Sequence, residues 1–468
     1  MRRLTVALFV LGAAPLAHAQ GTAAAESKGE YVARAGDCVA CHSVPGGKAF
    51  AGGLKMGTPL GAIYSTNITP DPDNGIGNYT FEDFDRAVRK GVAKDGHRLY
   101  PAMPYPSYAK ITDDDMHALY DFFIKEVSPV KQANKPSEIP GYLSFRWPLA
   151  IWDAVFTESG AYVPSKEHDA AWNRGAYLVE GLGHCGACHT PRGWAFQEKA
   201  LDDGSSTYLE GADLDAWFAP SLRGDQRTGL GAWSPGDLAA FLRTGHNGRA
   251  VAFGSMLDVV NNSTPYLSDD DVNAMAAYLK SLPATAQQAS FNYDDATTKA
   301  LLGGRQVQPG ATLFLGNCVS CHGADGKGRA PYIPPLAGNP VALDGDPSSL
   351  INLVLNGAEP LVVKGTPDAY RMPQYRVQLT DDEIAKVLTF VRSARGNGAA
   401  SVTADQVRRC AQSPIPAATG SLSSRCADAN LRRGVATSGL GFLSHLLPCF
   451  RGRCVQRKSP SRADGLFL

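Results

Sequence analysis

Cys38-Val39-Ala40-Cys41-His42 decides the reading of this chain, because the pattern returns as Cys185-Gly186-Ala187-Cys188-His189 and as Cys318-Val319-Ser320-Cys321-His322. Two cysteines three positions apart share one turn of helix, where each can form a thioether to a haem vinyl group. The histidine that follows is then held beneath the iron as its fifth ligand, which is the attachment pattern of a c-type haem. The three copies start 147 and then 133 residues apart. A zinc site needs a second ligand pair nearby, and a redox CxxC does not require the trailing histidine. The pattern therefore predicts three covalently attached haem c groups, on Cys38 and Cys41, Cys185 and Cys188, and Cys318 and Cys321, with His42, His189 and His322 on the irons.

A sixth ligand must be found, or the iron has an open site. A thioether sulfur there favours ferrous iron and gives a closed electron-transfer centre. Met103 follows His42 by 61 residues, Met256 follows His189 by 67, and Met372 follows His322 by 50. All three precede the last helix of their segment by 8 to 12 residues. Met116 and Met275 fall in apolar helical stripes, where a core role is expected. Met56 is the competitor for the first iron. His97 and His246 lie close before their methionines, but the third segment has no equivalent, so methionine is the ligand that serves all three. His184 reads as a polar neighbour of the second haem. No catalytic residue is predicted, since no phosphate loop, dinucleotide fingerprint or Ser-His-Asp set occurs in a convincing context. Gly323-Ala-Asp-Gly-Lys-Gly328 follows a haem histidine rather than a strand, so it reads as a haem-wrapping loop.

The motif is one part of a longer repeat. A short helical stretch leads into each copy, over residues 29–37, 174–184 and 310–317. A glycine- and proline-rich stretch, a short helix, the methionine and an amphipathic helix follow. The final helices begin at Thr112, Ser268 and Thr380, each a hydroxyl cap before three acidic residues that suit the positive helix end. Counted from the cap, positions 4, 7, 8 and 11 are apolar: Met116, Leu119, Tyr120, Phe123; Val272, Met275, Ala276, Leu279; Ile384, Val387, Leu388, Val391. This predicts an all-α chain of three consecutive small domains, each stapled by its own haem because its apolar core is small. The boundaries fall at 20–135, 167–282 and 305–396, with linkers at 136–166 and 283–304. The first linker holds Phe145, Trp147, Trp152 and Phe156, expected to pack between the first two domains; a docking patch for a partner subunit is the other reading.

Residues 1–19 predict a secretory signal, with Arg2-Arg3, an apolar centre and Ala17-His18-Ala19 as cleavage site. Attachment of haem outside the cytoplasm requires export of an unfolded chain, so export to the periplasm is expected. No run reaches the roughly 18 apolar residues of a membrane span. Of the ten cysteines, the four outside the motifs (Cys410, Cys426, Cys449, Cys454) all lie beyond residue 400. Residues 397–468 show no periodicity or cap and carry ten basic against three acidic side chains, which reads as a basic, disordered tail. Residues 20–396 then hold 33 basic and 42 acidic side chains. An acidic body argues against nucleic acid and favours a basic redox partner.

The order of three haem segments, Gly52-Gly53, Tyr64-Ser-Thr-Asn-Ile-Thr-Pro-Asp71 with Gly75-Ile-Gly77, and Leu99-Tyr-Pro-Ala-Met-Pro-Tyr105 together resemble the tri-haem cytochrome c subunit of bacterial membrane-bound dehydrogenases. These include quinoprotein alcohol dehydrogenase and the flavin-dependent gluconate and sorbitol dehydrogenases. The resemblance implies three class I-type cytochrome c domains. It pairs His42 with Met103, His189 with Met256 and His322 with Met372. It implies a PQQ- or flavin-dependent dehydrogenase partner, ubiquinone or a terminal carrier as acceptor, and peripheral association with the periplasmic face of the membrane. The tail after Gln406 departs from the family pattern. The rival readings are a peroxidase-like haem enzyme with one open iron and a free electron shuttle.

Overall fold

The computed structural model describes residues 26–412, apart from 59, 159, 215–216, 306–307 and 369. The expected signal peptide and the part of the expected tail beyond 412 lie outside the described residues.

The closing helices run Asp113–Asp121, Asp269–Ser281 and Asp381–Ser393, directly behind the three expected caps. Thr112, Ser268 and Thr380 each accept the backbone N–H three residues on, pairing a donor that the helix itself leaves open. The predicted stripes face inward: of their twelve residues only Tyr120 is less than fully buried.

Each closing helix is crossed by the helix that leads into a haem motif. The lead-in helices are Lys28–Ala35, Ala170–Ala176 continuing as a π-helical turn over Tyr177–Leu182, and Ala311–Asn317. A glycine marks every crossing. A Cβ on Gly29 would lie 2.2 Å from the Ala118 carbonyl oxygen, one on Gly175 2.1 Å from that of Ala274, and one on Gly310 2.2 Å from that of Lys386. All three carbonyls belong to the sixth residue after the cap. Backbone therefore meets backbone at the same place three times, and no side chain fits between them.

Between motif and closing helix lie the middle helices Phe81–Lys90, Pro235–Thr244 and Ser348–Asn356. The expectation of an all-α chain needs a small correction. Among the described residues there are three two-stranded antiparallel hairpins: Lys55–Thr58 with Gly61–Tyr64, Ala212–Leu214 with Trp217–Ala219, and Val362–Val363 with Thr366–Pro367. Their strands are too short to bury a face, and the cores are built by helices.

The first two repeats share one apolar core, which runs from Val32 and Phe84 through Ile111 and Tyr177 to Tyr278. Beside it lies a buried ion pair: Lys110 Nζ donates to Glu180 Oε2 at 2.7 Å, and the Tyr278 hydroxyl donates to Glu180 Oε1 at 2.5 Å. The third repeat has its own core around Phe314, Ile351 and Phe390. It meets the second through a smaller cluster of Ala252, Leu257, Val260 and Leu361.

Neither expected linker is a bare connector. Residue 138 extends the first hairpin, its N–H donating to the Ala62 carbonyl at 2.8 Å. Helix Pro148–Phe156 then packs on the first repeat, with Asp153 buried and bonded to Arg98 and Tyr105. In the second linker Thr285 and Ala286 bond to the buried Asp225, and Leu301 enters the third core. The aromatic cluster divides. Trp152 lies against Tyr105 and donates to the Ala195 carbonyl, and Phe156 lies against Trp194, so these two bridge the first two repeats. Phe145 and Trp147 face solvent.

The tail boundary is also corrected. Asn397, Val402 and Val407 are buried, and Ala404–Gln412 is a helix on the third core. Thr403 and Gln406 cap it reciprocally, each side chain bonding the other's backbone N–H. The third folded body thus extends at least sixteen residues beyond the expected end at 396.

Candidate functional site

The cysteine pairs sit on single turns, Cys38–Cys41, Gly186–His189 and Val319–His322, the last two starting one residue after their first cysteine. The residues before the first two motifs, Asp37 and His184, take the left-handed conformation that turns the chain out of its lead-in helix. Burial pushes the thiols of Cys38, Cys41 and Cys185 up to about 12 and that of Cys318 to about 11. These surroundings disfavour a thiolate and suit an uncharged thioether.

Each motif histidine is aimed by a backbone carbonyl. His42 Nδ1 lies 2.7 Å from the Thr66 oxygen, His189 Nδ1 2.7 Å from the Pro220 oxygen, and His322 Nδ1 3.1 Å from the Pro334 oxygen. A carbonyl only accepts, so Nδ1 carries the proton and Nε2 is left with its lone pair for a metal. Burial holds all three imidazoles below the usual histidine range, which keeps them in the neutral, ligating form. In the first two repeats the hairpin delivers the carbonyl, since Thr66 and Pro220 follow the second strand closely. Asn67, buried, then clamps the first of these loops by donating to the carbonyls of Val130 and Gln132.

Two of the three predicted ligand sets converge on a cavity. Cys38, Cys41, His42 and Met103 line one cavity, and Cys185, Cys188, His189 and Met256 line another. In the third repeat Cys318 and Met372 pack against the same core. Met116 and Met275 are buried in their stripes. Met56, on the first hairpin opposite Ile63, also lines the first cavity, as does His97. His246 instead faces the third repeat, its ring tilted against that of Tyr332 and its Nε2 3.9 Å from Asp368. His184 lines the second cavity and sits edge-on to Tyr108. The cysteine pair, the histidine and the apolar walls of these two cavities fit a covalently bound haem.

Sequence reasoning missed several residues. Asp37 lines both cavities, and burial together with Asp258 holds its carboxyl well above the usual range. The three orienting carbonyls were invisible because any residue type supplies one. Asn339, Pro340 and Val341 of the third repeat wall the second cavity, which only the packing of repeats reveals.

Helical repeats that present a cysteine pair and a carbonyl-oriented histidine to an apolar cavity define a cytochrome c, with covalently bound haem. The cytochrome c family model matches residues 26–127 and 307–395. The chain is 53% identical over 411 residues to the gluconate 2-dehydrogenase cytochrome c subunit of Pantoea cypripedii, covering 86% of this chain and 93% of that protein. It is 48% identical over 409 residues to the cytochrome c subunit of alcohol dehydrogenase (quinone) from Gluconobacter oxydans (strain 621H), 86% of each chain. The fructose dehydrogenase cytochrome subunit of Gluconobacter japonicus is 40% identical over 407 residues, 82% of each. The chain belongs to this family of electron-transferring cytochrome c subunits of dehydrogenase complexes.

Proposed function

We propose that the chain holds three haem c groups, one in each of three domains, and relays electrons from a dehydrogenase catalytic subunit to membrane ubiquinone or a terminal carrier. The second cavity carries this reading: Ala35 and Asp37 reach it from the first repeat, Asn339 and Val341 from the third. The second site then lies between the other two, as a linear wire requires. A bound haem supplies an iron that alternates between ferric and ferrous. The chain's residues do the rest. His42, His189 and His322 would give Nε2 to the irons, Met103, Met256 and Met372 would give sulfur, and the apolar walls would keep water out. With a histidine and a methionine held for each iron, no coordination position would be left for a substrate.

The relatives' names support a partner that oxidises an alcohol, a sugar or a sugar acid; PQQ or flavin as its cofactor follows from the family resemblance of the sequence motifs. The acidic body suits a basic face on that partner. Haem attachment and the signal-like start support the periplasmic face of the membrane. No helix among the described residues is long and apolar enough to cross a bilayer. Peripheral attachment is supported by an apolar band on the first linker. Trp147, Ile151 and Val155 recur every fourth residue and are 59–69% exposed, flanked by exposed Tyr142 and Phe145. The one charged residue of that helix, Asp153, is turned inward. Such a face lies in a membrane interface rather than through it.

Intact mass of the exported protein tests the haem count, and Met103→Ala, Met256→Ala and Met372→Ala test the ligands. Each variant is expected to bind carbon monoxide at one reduced iron where the parent binds none. A parent that binds carbon monoxide readily, or a variant that gains no binding, overturns the assignment at that iron; for Met103 the second outcome would transfer the role to Met56.

A further inference from the structure

Beneath the second haem-attachment turn lies a buried carboxyl that the relay does not use. Glu198 pairs with Arg192 in a short bridge of backbone after the motif. Its side chain is 5% exposed, and its nearest cation, Arg192 Nη1, stands 3.7 Å from Oε1. Oε2 is buried and has no hydrogen-bond partner among the described residues, and neither has the buried hydroxyl of Tyr208. Both pack on the turn between the two haem cysteines. A methyl built on Gly186 would lie 2.5 Å from Glu198 Oε2 and 3.1 Å from Tyr208 Cε2. The charged and titratable groups around Glu198 are Arg192 on its own loop, Lys110 from the first repeat, Tyr208 and the Cys185 sulfur. Behind Lys110 stand Glu180 and Asp202.

A carboxylate with one unpaired oxygen, shut away from water beside a redox centre, responds strongly to the charge of that centre. An added electron disfavours the anion, and a proton can neutralise it.

We propose that Glu198 is the redox-linked proton site of the middle haem: it takes up one proton from solvent when that site accepts one electron from its donor, and releases the proton when the electron leaves. The carboxylate becomes a carboxylic acid as ferric iron becomes ferrous, so the net charge of the buried pair is unchanged and no covalent bond other than O–H is made or broken. Arg192, about one-third exposed, connects the site to water. The proposal rests on the reading of the second site as a haem centre. Burial, offset in part by Arg192 and then Lys110, already places the Glu198 carboxyl at about 7, where a small change of field moves its proton.

Spectroelectrochemical titration of the holoprotein between pH 5.5 and 8.5 tests it. One of the three potentials is expected to fall as pH rises, approaching about 59 mV per tenfold change in proton concentration for a one-electron step. Glu198→Gln should abolish that slope and leave the other two potentials in place. Arg192→Gln removes a cation that favours the carboxylate, so the sloping region should move to higher pH. Three potentials independent of pH, a slope that survives in Glu198→Gln, or no upward movement in Arg192→Gln would each overturn the proposal. Failure of the underlying reading looks different: haem content below three by pyridine haemochrome, or Met256→Ala without any change in the iron spectrum.

Discussion

The hydroxyl of Tyr31, in the first lead-in helix, donates to Asp271 Oδ2 in the second closing helix at 2.6 Å. Tyr177, in the second lead-in, returns the contact by donating to Asp115 Oδ2 in the first closing helix, also at 2.6 Å. Each aspartate is the third residue after its cap. Each tyrosine oxygen also accepts the cap's own backbone N–H, from Ser268 at 3.0 Å and from Thr112 at 3.4 Å. The first two repeats therefore clasp each other through a local two-fold relation, and a cation completes each site, Arg174 on Asp271 and Lys28 on Asp115.

Removing one hydroxyl from this clasp leaves a largely buried carboxylate short of a donor. Tyr177→Phe is expected to lower the unfolding free energy of the holoprotein by about 1.5–3 kcal/mol, the range for hydrogen bonds to charged groups. A double-mutant cycle with Asp115→Asn in urea should return a coupling of the same sign. Additive effects would mean that the hydroxyl and carboxylate do not support one another.

The crossing glycines make a sharper test. Gly175→Ala places a methyl 2.1 Å from the Ala274 carbonyl oxygen, so the helices must part, at about 1–3 kcal/mol or more. Gly316, inside the third lead-in helix, has open space around its Cβ position, and Gly316→Ala should instead stabilise by about 0.5–1 kcal/mol. Thermal unfolding of the two variants beside the parent compares them directly. Equal shifts would remove the argument that backbone contact, rather than helix propensity, selects glycine at 29, 175 and 310.

What the sequence revealed and what it hid divide along physical lines. Haem motifs, caps and inward stripes are local patterns, and all were legible. The pairing of the first two repeats was written in one detail. The third residue after the cap is Asp115 or Asp271 there, but Glu383 in the third repeat. Glu383 reaches back to its own cap N–H at 2.8 Å, whereas the aspartates are engaged across the interface. A second sign is Gly75-Ile-Gly77-Asn-Tyr79-Thr80 beside Gly229-Leu-Gly231-Ala-Trp233-Ser234, present only in the paired repeats. The helix at Ala404–Gln412 was missed because Val407 is its single buried residue among arginines, so the apolar stripe is almost absent. The linker helix defeated the pattern for the opposite reason. Apolar residues occupy both of its faces, and nothing marks Trp152 as inward and Trp147 as outward.

Glu198 also bears on stability. Its carboxyl holds its proton up to about 7 in the folded chain, against 4.5 when unshifted, so the folded state binds a proton that the unfolded state has released. That contribution is complete below about 4.5 and is lost as pH rises through 7. Glu198→Gln, neutral throughout, should therefore gain on the parent between pH 5 and 8, by about 3 kcal/mol at the upper end. Urea unfolding at several pH values reads this, and parallel curves for the two proteins would show that the carboxyl is charged in both states.

The outward face of Pro148–Phe156 gives the last test. Its exposed side chains are apolar, so attraction to lipid should come from buried area and be insensitive to salt, unlike a basic patch. The holoprotein is expected to float with vesicles of uncharged phospholipid at both low and high ionic strength. Trp147→Ser, Ile151→Ser and Val155→Ser together should cut that binding by more than about tenfold, since burial of each such side chain is worth about 1.5–3 kcal/mol. All three are exposed in the folded chain, so the haem spectrum should not change. If the triple variant binds vesicles as before but no longer co-purifies with a dehydrogenase, the band belongs to a protein partner instead.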